Sequence, residues 1–295
     1  MAASLFCVVR HSHDGIDWAA WLDRLRQNDE LTGDTLREVA LRLLRPDTRV
    51  VVDVGSGAGG MSAAFAEAMS GAGGTVVLVD AVPELLDAAA AHVKAAAGQR
   101  VDVRAVHADA ASDGLLDLVP RADLVFASLV VHHLPDQQRG IDRLTALVNP
   151  GGQLAVVESG LEQRCLPWDL GVGEPGLQGR LSAARGEWFR WLRAAMDGAV
   201  RLPVGWNRAM TDAGLVDVSS FSYLIDRPAP PTDQVRDAVL RWLSELRDVA
   251  GDWIGEADLR TLDQLLDPGS PHYAGRRDDV FVLAADTVHL GTAPD

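Results

Sequence analysis

Residues 50–60, VVVDVGSGAGG, constrain this chain more than any other stretch. Val50, Val51, Val52 and Val54 form a β-branched run, the composition of a strand buried on both faces of a parallel sheet. Gly55, Gly57, Gly59 and Gly60 follow, so the backbone turns where no Cβ would keep a ligand away. Residues 61–69, MSAAFAEAM, are good helix formers. The glycines therefore lie between a strand end and a helix N-terminus. That place offers unpaired N–H groups and a positive dipole end to an anionic or polar ligand.

Gly55-x-Gly57-x-x-Gly60 also fits the dinucleotide fingerprint, so the glycines alone leave the ligand open. Asp53 decides between ligands. A carboxylate two residues before the turn would be repelled by a pyrophosphate, whereas it suits an aminoacyl group carrying an ammonium and a sulfonium. DVGSGAG, Asp53 to Gly59, resembles the first motif of the class I S-adenosylmethionine (SAM)-dependent methyltransferases, an acidic residue followed by Gly-x-Gly-x-Gly.

The downstream segments continue that resemblance over roughly residues 48–160. Residues 75–79 (TVVLV) form a second apolar strand ending in Asp80, and Pro83 suits the first turn of the next helix. Residues 101–106 read as a third strand, followed by His107-Ala108-Asp109-Ala110, and residues 123–131 as a fourth, leading into His132-His133. Pro150-Gly151-Gly152 precedes a fifth strand, Leu154 to Glu158. The resemblance implies a doubly wound Rossmann-like α/β fold with a seven-stranded sheet, mostly parallel with an antiparallel last strand, plus a helical cap. It implies SAM as cofactor, held by Asp53, Gly55, Ser56, Gly57 and Gly59. Asp80 beside Ala81 would take both ribose hydroxyls, whose two donors match one bidentate acceptor. Asp109 beside Ala110 would accept from the adenine amino group, and Ser128 would line the methionine half.

Composition excludes several function classes. Of 27 basic residues Lys94 is the sole lysine, so Schiff-base chemistry has a single candidate. A net charge of −15 without a basic run repels phosphate backbones and argues against a nucleic-acid partner. Cys7 and Cys165 are too few for a disulfide framework or a zinc site. The apolar N-terminus lacks a preceding basic residue and makes a poor signal peptide. No stretch approaches the ~18 apolar residues of a spanning helix. The reading is a soluble, cytoplasmic protein with no membrane partner, its oligomeric state unread.

Four parts follow along the chain: an N-terminal helical lid (1–47), a SAM-binding Rossmann-like core (48–160), a helical cap insertion (161–212) and a C-terminal part of the core with inserted helices (213–295). Residues 17–26 and 34–44 read as two amphipathic helices. Residues 216–225 read as a sixth strand, and 280–285 with 287–290 as a last strand interrupted by Asp286, with helices over 233–250 and 256–266. Trp18, Trp21, Trp168, Trp188, Trp191 and Trp206 fall in the segments flanking the core. They either pack the cap onto the core or line an apolar substrate chamber.

Three residues are candidates for chemistry. His132 and His133 follow strand four, where a neutral imidazole could take the proton of an attacking hydroxyl or amine; the alternative is that either packs or caps the next helix. Adjacent side chains cannot both face one point, and His132 is favoured. Glu158 could orient a substrate amine or hydroxyl, or bind an arginine from the cap. His11, His13 and Asp14 are too sparse for a metal site, so no metal is expected. The resulting function is transfer of a methyl group from SAM to an oxygen or nitrogen of a small molecule in specialised metabolism, with carbon as a further acceptor. A SAM fold without methyl transfer, as a cyclase, decarboxylase or binding protein, and an NAD(P)-dependent oxidoreductase are the rivals.

Overall fold

The computed structural model describes residues 17–295; Cys7 and the cluster of His11, His13 and Asp14 lie outside the described residues. Alternation of helix and strand builds the first half: α1 (Trp18–Leu43), β1 (Val50–Val54), α2 (Gly60–Met69), β2 (Gly74–Asp80), α3 (Pro83–Ala96), β3 (Val101–His107), α4 (Leu115–Leu118), β4 (Ala122–Ser128) and α5 (Gln137–Ala146). There follow β5 (Val148–Arg164), α6 (Leu177–Ala195), α7 (Trp206–Asp212), β6 (Val216–Arg227), α8 (Asp233–Ala250), α9 (Glu256–Leu266) and β7 (Val282–Thr292). The seven strands lie in the order β3-β2-β1-β4-β5-β7-β6. β1 to β5 pair in parallel, and one strand of the β7–β6 end runs antiparallel.

Successive residues of a strand face opposite sides of the sheet, and here both sides are covered. Val52, Val54, Val77, Val79, Val125 and Val156 pack on one side with Ile141, Leu144 and Met210. Val51, Val76, Leu78, Leu124, Phe126 and Val157 pack on the other with Phe65, Leu86, Val93 and the α1 residues Val39, Ala40 and Leu43. That double burial is the reason β1 and β2 are unbroken apolar runs. The order reverses between β1 and β4, which places the crevice of an open α/β sheet at the ends of those two strands.

Four boundaries differ from the sequence reading. Residues 18–43 form one helix, not two. Leu31 and Thr32 are buried in its polar middle, and Thr32 Oγ1 donates to the Asn28 carbonyl at 2.8 Å. Tertiary burial there overrides the weak helix propensity of Asn28, Asp29 and Gly33. β4 stops at Ser128, not near Val131, because Leu129 takes a left-handed φ of 56°. β5 is longer than Leu154–Glu158: it absorbs Pro150-Gly151-Gly152 as an irregularity opposite β4, with Gly151 at φ 69°. β7 runs through Asp286 without a break, since the Asp286 carboxylate accepts from Tyr223 Oη at 3.4 Å and the polar side chain is served inside the sheet.

The described residues divide into two compact units. One comprises 17–160, 198–223 and 286–295; the other, 161–197 and 224–285. The second unit is mainly helical. Leu177, Leu181, Ala184 and Leu192 of α6 are buried, as are Val239 and Leu243 of α8 and Leu262 and Leu265 of α9. Arg180 holds Asp258 through two bonds of 2.7 and 2.9 Å. Buried Gln178 accepts from the Cys165 and Leu166 amides at 2.9 and 3.0 Å and donates to the Gln163 carbonyl, fixing the chain as it leaves β5. Of the tryptophans, Trp168 is 73% exposed, so it packs no core among the described residues.

Candidate functional site

The glycine turn is built almost wholly from backbone. Gly55 at φ 75° and Ser56 both donate to the Val79 carbonyl, at 2.7 and 3.1 Å, which ties the turn to the end of β2. A Cβ on Gly55 would stand 2.3 Å from Val130 Cγ2, and one on Gly59, at φ 86°, 3.1 Å from Ala89 Cα. Glycine is thus required twice, by backbone conformation and by close approach. Gly57 N–H donates to Asp80 Oδ2 at 2.9 Å, and Val82 N–H to Oδ1 at 3.0 Å. Each Asp80 oxygen therefore has a fixed direction.

Asp53 is buried beneath the turn and accepts from Ser62 Oγ at 2.6 Å. Burial pushes its pKa up to about 7; the Ser62 bond opposes that, and the charges of Asp80 and Asp29 add to it. Ser56 Oγ is buried without a hydrogen-bond partner among the described residues. Asp109 accepts from Ala111 N–H at 2.7 Å and is exposed beyond β3, while Ala81 carries a carbonyl 3.0 Å from His107 Nε2. Ala110 is half-buried.

Side chains, not backbone, make the β4–β5 side. After Leu129 the chain forms a short turn of 3-10 helix over Val131–His133. His132 Nδ1 lies 2.7 Å from Glu158 Oε2, and the His132 amide donates to Oε1 at 3.2 Å. A carboxylate oxygen accepts here, so Nδ1 is the donor, and a neutral His132 in this tautomer presents Nε2 as the acceptor. The His132 side chain is 24% exposed and that of Glu158 5%, so the pair is buried at the carboxylate and open at the imidazole. Glu158 thus takes a histidine, where the sequence left a substrate group or a cap arginine open. His133 is exposed, its ring 4.0 Å from that of His132. Ser128, paired with Val157, ends β4 beside this turn. On β7, His289 Nδ1 meets Asn207 Oδ1 at 2.7 Å, and burial depresses its pKa.

Three contributors were not marked in the sequence. Val130 fills the space above Gly55, two residues before His132. From α1, Leu25 Cδ1 comes within 3.3 Å of where a Gly57 Cβ would stand, and the Asp29 carboxyl occupies the place of a Gly60 side chain. The local signal for Asp29 was Gly60 itself, a glycine in the first turn of a helix.

Residues 52–154, about a third of the chain, match the family model described as a methyltransferase domain. No curated protein matches. Among solved structures, a candidate methyltransferase from Bacillus halodurans is similar at 15% identity, with 88% of this chain and 99% of that one covered and a TM-score of 0.51. A candidate methyltransferase of Haloferax volcanii, solved with the Trm112 activator, is similar at 16% identity, 95% and 98% coverage and a TM-score of 0.50. Both likenesses concern the fold. The turn also fits the cofactor of that domain: the buried Ser56 hydroxyl, without a partner among the described residues, the Asp80 carboxylate and the buried Asp53 suit a ligand with hydroxyl donors and a cationic end. Residues 52–154 thus carry a methyltransferase domain, and S-adenosyl-L-methionine is the cofactor it uses.

Proposed function

We propose that this protein is a cytoplasmic enzyme of specialised metabolism that methylates an oxygen or nitrogen of a small molecule, with His132 as general base and Glu158 as the group that positions it. The observation that carries the reading is the 2.7 Å bond between His132 Nδ1 and Glu158 Oε2. It holds the imidazole in the tautomer whose Nε2 can accept a proton, and a carboxylate behind the ring stabilises the imidazolium that results. The small-molecule part is supported by the net charge of −15, which disfavours a polyanionic substrate. Among the described residues no helix is long and apolar enough to cross a membrane.

In this reading Asp53, Gly55, Ser56, Gly57, Gly59, Asp80, Ala81, Asp109, Ala110 and Ser128 hold the cofactor, which supplies a methyl group on a sulfonium leaving group. Asp80 orients the ribose, and Asp109 the adenine. Desolvation and alignment of the acceptor above β4 carry much of the rate, and His132 removes its proton as the new bond forms. His133 packs against His132. The parts of the chain outside residues 48–160, namely 1–47, 161–212 and the helices inserted in 213–295, serve as lid, cap and completion of the core.

Transfer of radiolabelled methyl from SAM to a panel of hydroxyl- and amine-bearing small molecules tests the reading. Labelled O- or N-methyl product in the parent, lost in His132→Ala at unchanged SAM affinity, is expected. Product formed by His132→Ala at the parental rate refutes the base, and label found only on carbon refutes the acceptor class.

A further inference from the structure

Three carboxylates converge on one glycine turn. Asp53 stands at the end of β1, Asp80 at the end of β2, and Asp29 comes from α1, outside the matched domain. The Asp29 carboxyl lies so close over the first residue of α2 that a Cβ on Gly60 would be 2.3 Å from its Cγ and 2.5 Å from both oxygens. It accepts from the Gly60 N–H at the helix N-terminus. Leu25, one turn earlier on the same face of α1, covers Gly57. This stretch of α1 is therefore fitted to the turn residue by residue.

The charge balance is unusual. Asp53 is destabilised as an anion by burial and by the charges of Asp80 and Asp29 together. Asp29 is pushed up to about 6 by burial, opposed by the charge of His92 on α3 and by the Gly60 bond. In the same turn the buried Ser56 hydroxyl has no partner among the described residues. Buried like charges raise each other's cost unless a cation sits with them. The cofactor brings an ammonium and a sulfonium.

We infer that Asp29 is a cofactor-recognition residue, held by α1 over the glycine turn to take, with Asp53, the cationic aminoacyl end of SAM. The adenosine end is served by Asp80 and Asp109, so selectivity for the aminoacyl end depends on a residue of the first helix. Closure of α1 on the turn and occupancy by a cationic ligand then favour one another, because the ligand neutralises the group that α1 places there. This goes beyond the acceptor-side reading and needs no acceptor to be tested.

Calorimetric titration of SAM and of 5′-methylthioadenosine, which lacks the aminoacyl group, separates the roles. In Asp29→Asn the carbonyl still accepts from Gly60 but the charge is gone. SAM affinity is expected to fall about tenfold or more, and methylthioadenosine affinity to stay within about twofold. SAM affinity within twofold of the parent overturns the inference. Equal weakening of both ligands does so too, since Asp29 would then only cap α2. The parent protein gives an independent reading. Between pH 5.5 and 7.5 its ratio of SAM to methylthioadenosine affinity rises as Asp29 and Asp53 ionise. The charged groups acting on this pair are His92 on Asp29, and Asp80 and Asp29 on Asp53, and the rise persists in His92→Gln; a flat ratio there contradicts the assignment.

Discussion

The two halves of the site are made from different materials. Around the glycine turn, backbone N–H groups and carboxylates fix one another: Gly57 and Val82 hold Asp80, Ser62 holds Asp53, and Val79 holds Gly55 and Ser56. At β4 and β5 the pairing is between two side chains, His132 and Glu158, 26 residues apart. In the proposed reading the first half is the cradle of the cofactor, and the second is a single proton-accepting position whose value depends on what is presented to it. Such a division predicts that cofactor binding and proton removal respond to different substitutions.

The largest expected effect lies on the side-chain half. His132→Ala should lower kcat by about 10²–10⁴-fold with little change in SAM affinity. The pH–rate profile should lose the limb that reports protonation of the base. Glu158→Gln keeps a hydrogen bond but not the charge, and its rate should lie between parent and His132→Ala. On the cradle side, Asp80→Ala leaves two ribose hydroxyls without a charged acceptor and should cost about 2–4 kcal/mol of SAM binding by calorimetry.

One position should break the division. Gly55 needs a left-handed backbone, and its missing Cβ leaves the space filled by Val130, two residues before His132. Gly55→Ala should destabilise the protein by about 2–4 kcal/mol, from left-handed strain plus overpacking, and lower both SAM affinity and turnover. Equilibrium unfolding with parallel calorimetry reads this. An effect on binding alone would mean that Val130 does not transmit the shift to His132.

The smallest effect is a pH dependence. The folded-state pKa values of Asp53 and Asp29, about 7 and about 6, lie above the ordinary 3.8. The native state then holds protons that the unfolded state has released. Their contribution is full below about pH 4 and is lost as pH rises through 6 and 7. The cofactor-free protein should lose a few kcal/mol at most, about 4 as the upper bound, between pH 5 and pH 8 through these two groups. A cationic ligand reverses the sign, so the rise in melting temperature on adding SAM should grow over the same range.

Legibility in the sequence followed contiguity. Asp53 to Met69 spells strand, turn and helix in one run, and each element forms where its residues indicate. The β7–β6 inversion was implied by resemblance, since no local pattern in residues 282–292 states which neighbour the strand will choose. His132 and Glu158 were each visible as candidates, but not their bond, which depends on β4 and β5 being neighbours in register. Leucine gives no warning of the left-handed Leu129 that ends β4 early. Asp29 was hidden because a polar stretch between two amphipathic segments reads as a break, and only the burial of Leu31 and Thr32 keeps it helical.

The account stands or falls on the independence of the two halves. The direct measurement compares Asp80→Ala and His132→Ala side by side for SAM affinity by calorimetry and for single-turnover methyl transfer at saturating SAM. The account predicts that Asp80→Ala loses affinity by about 30- to 1,000-fold while keeping most of its single-turnover rate. His132→Ala should keep its affinity and lose the rate. Two variants that each lose both in equal proportion would contradict it.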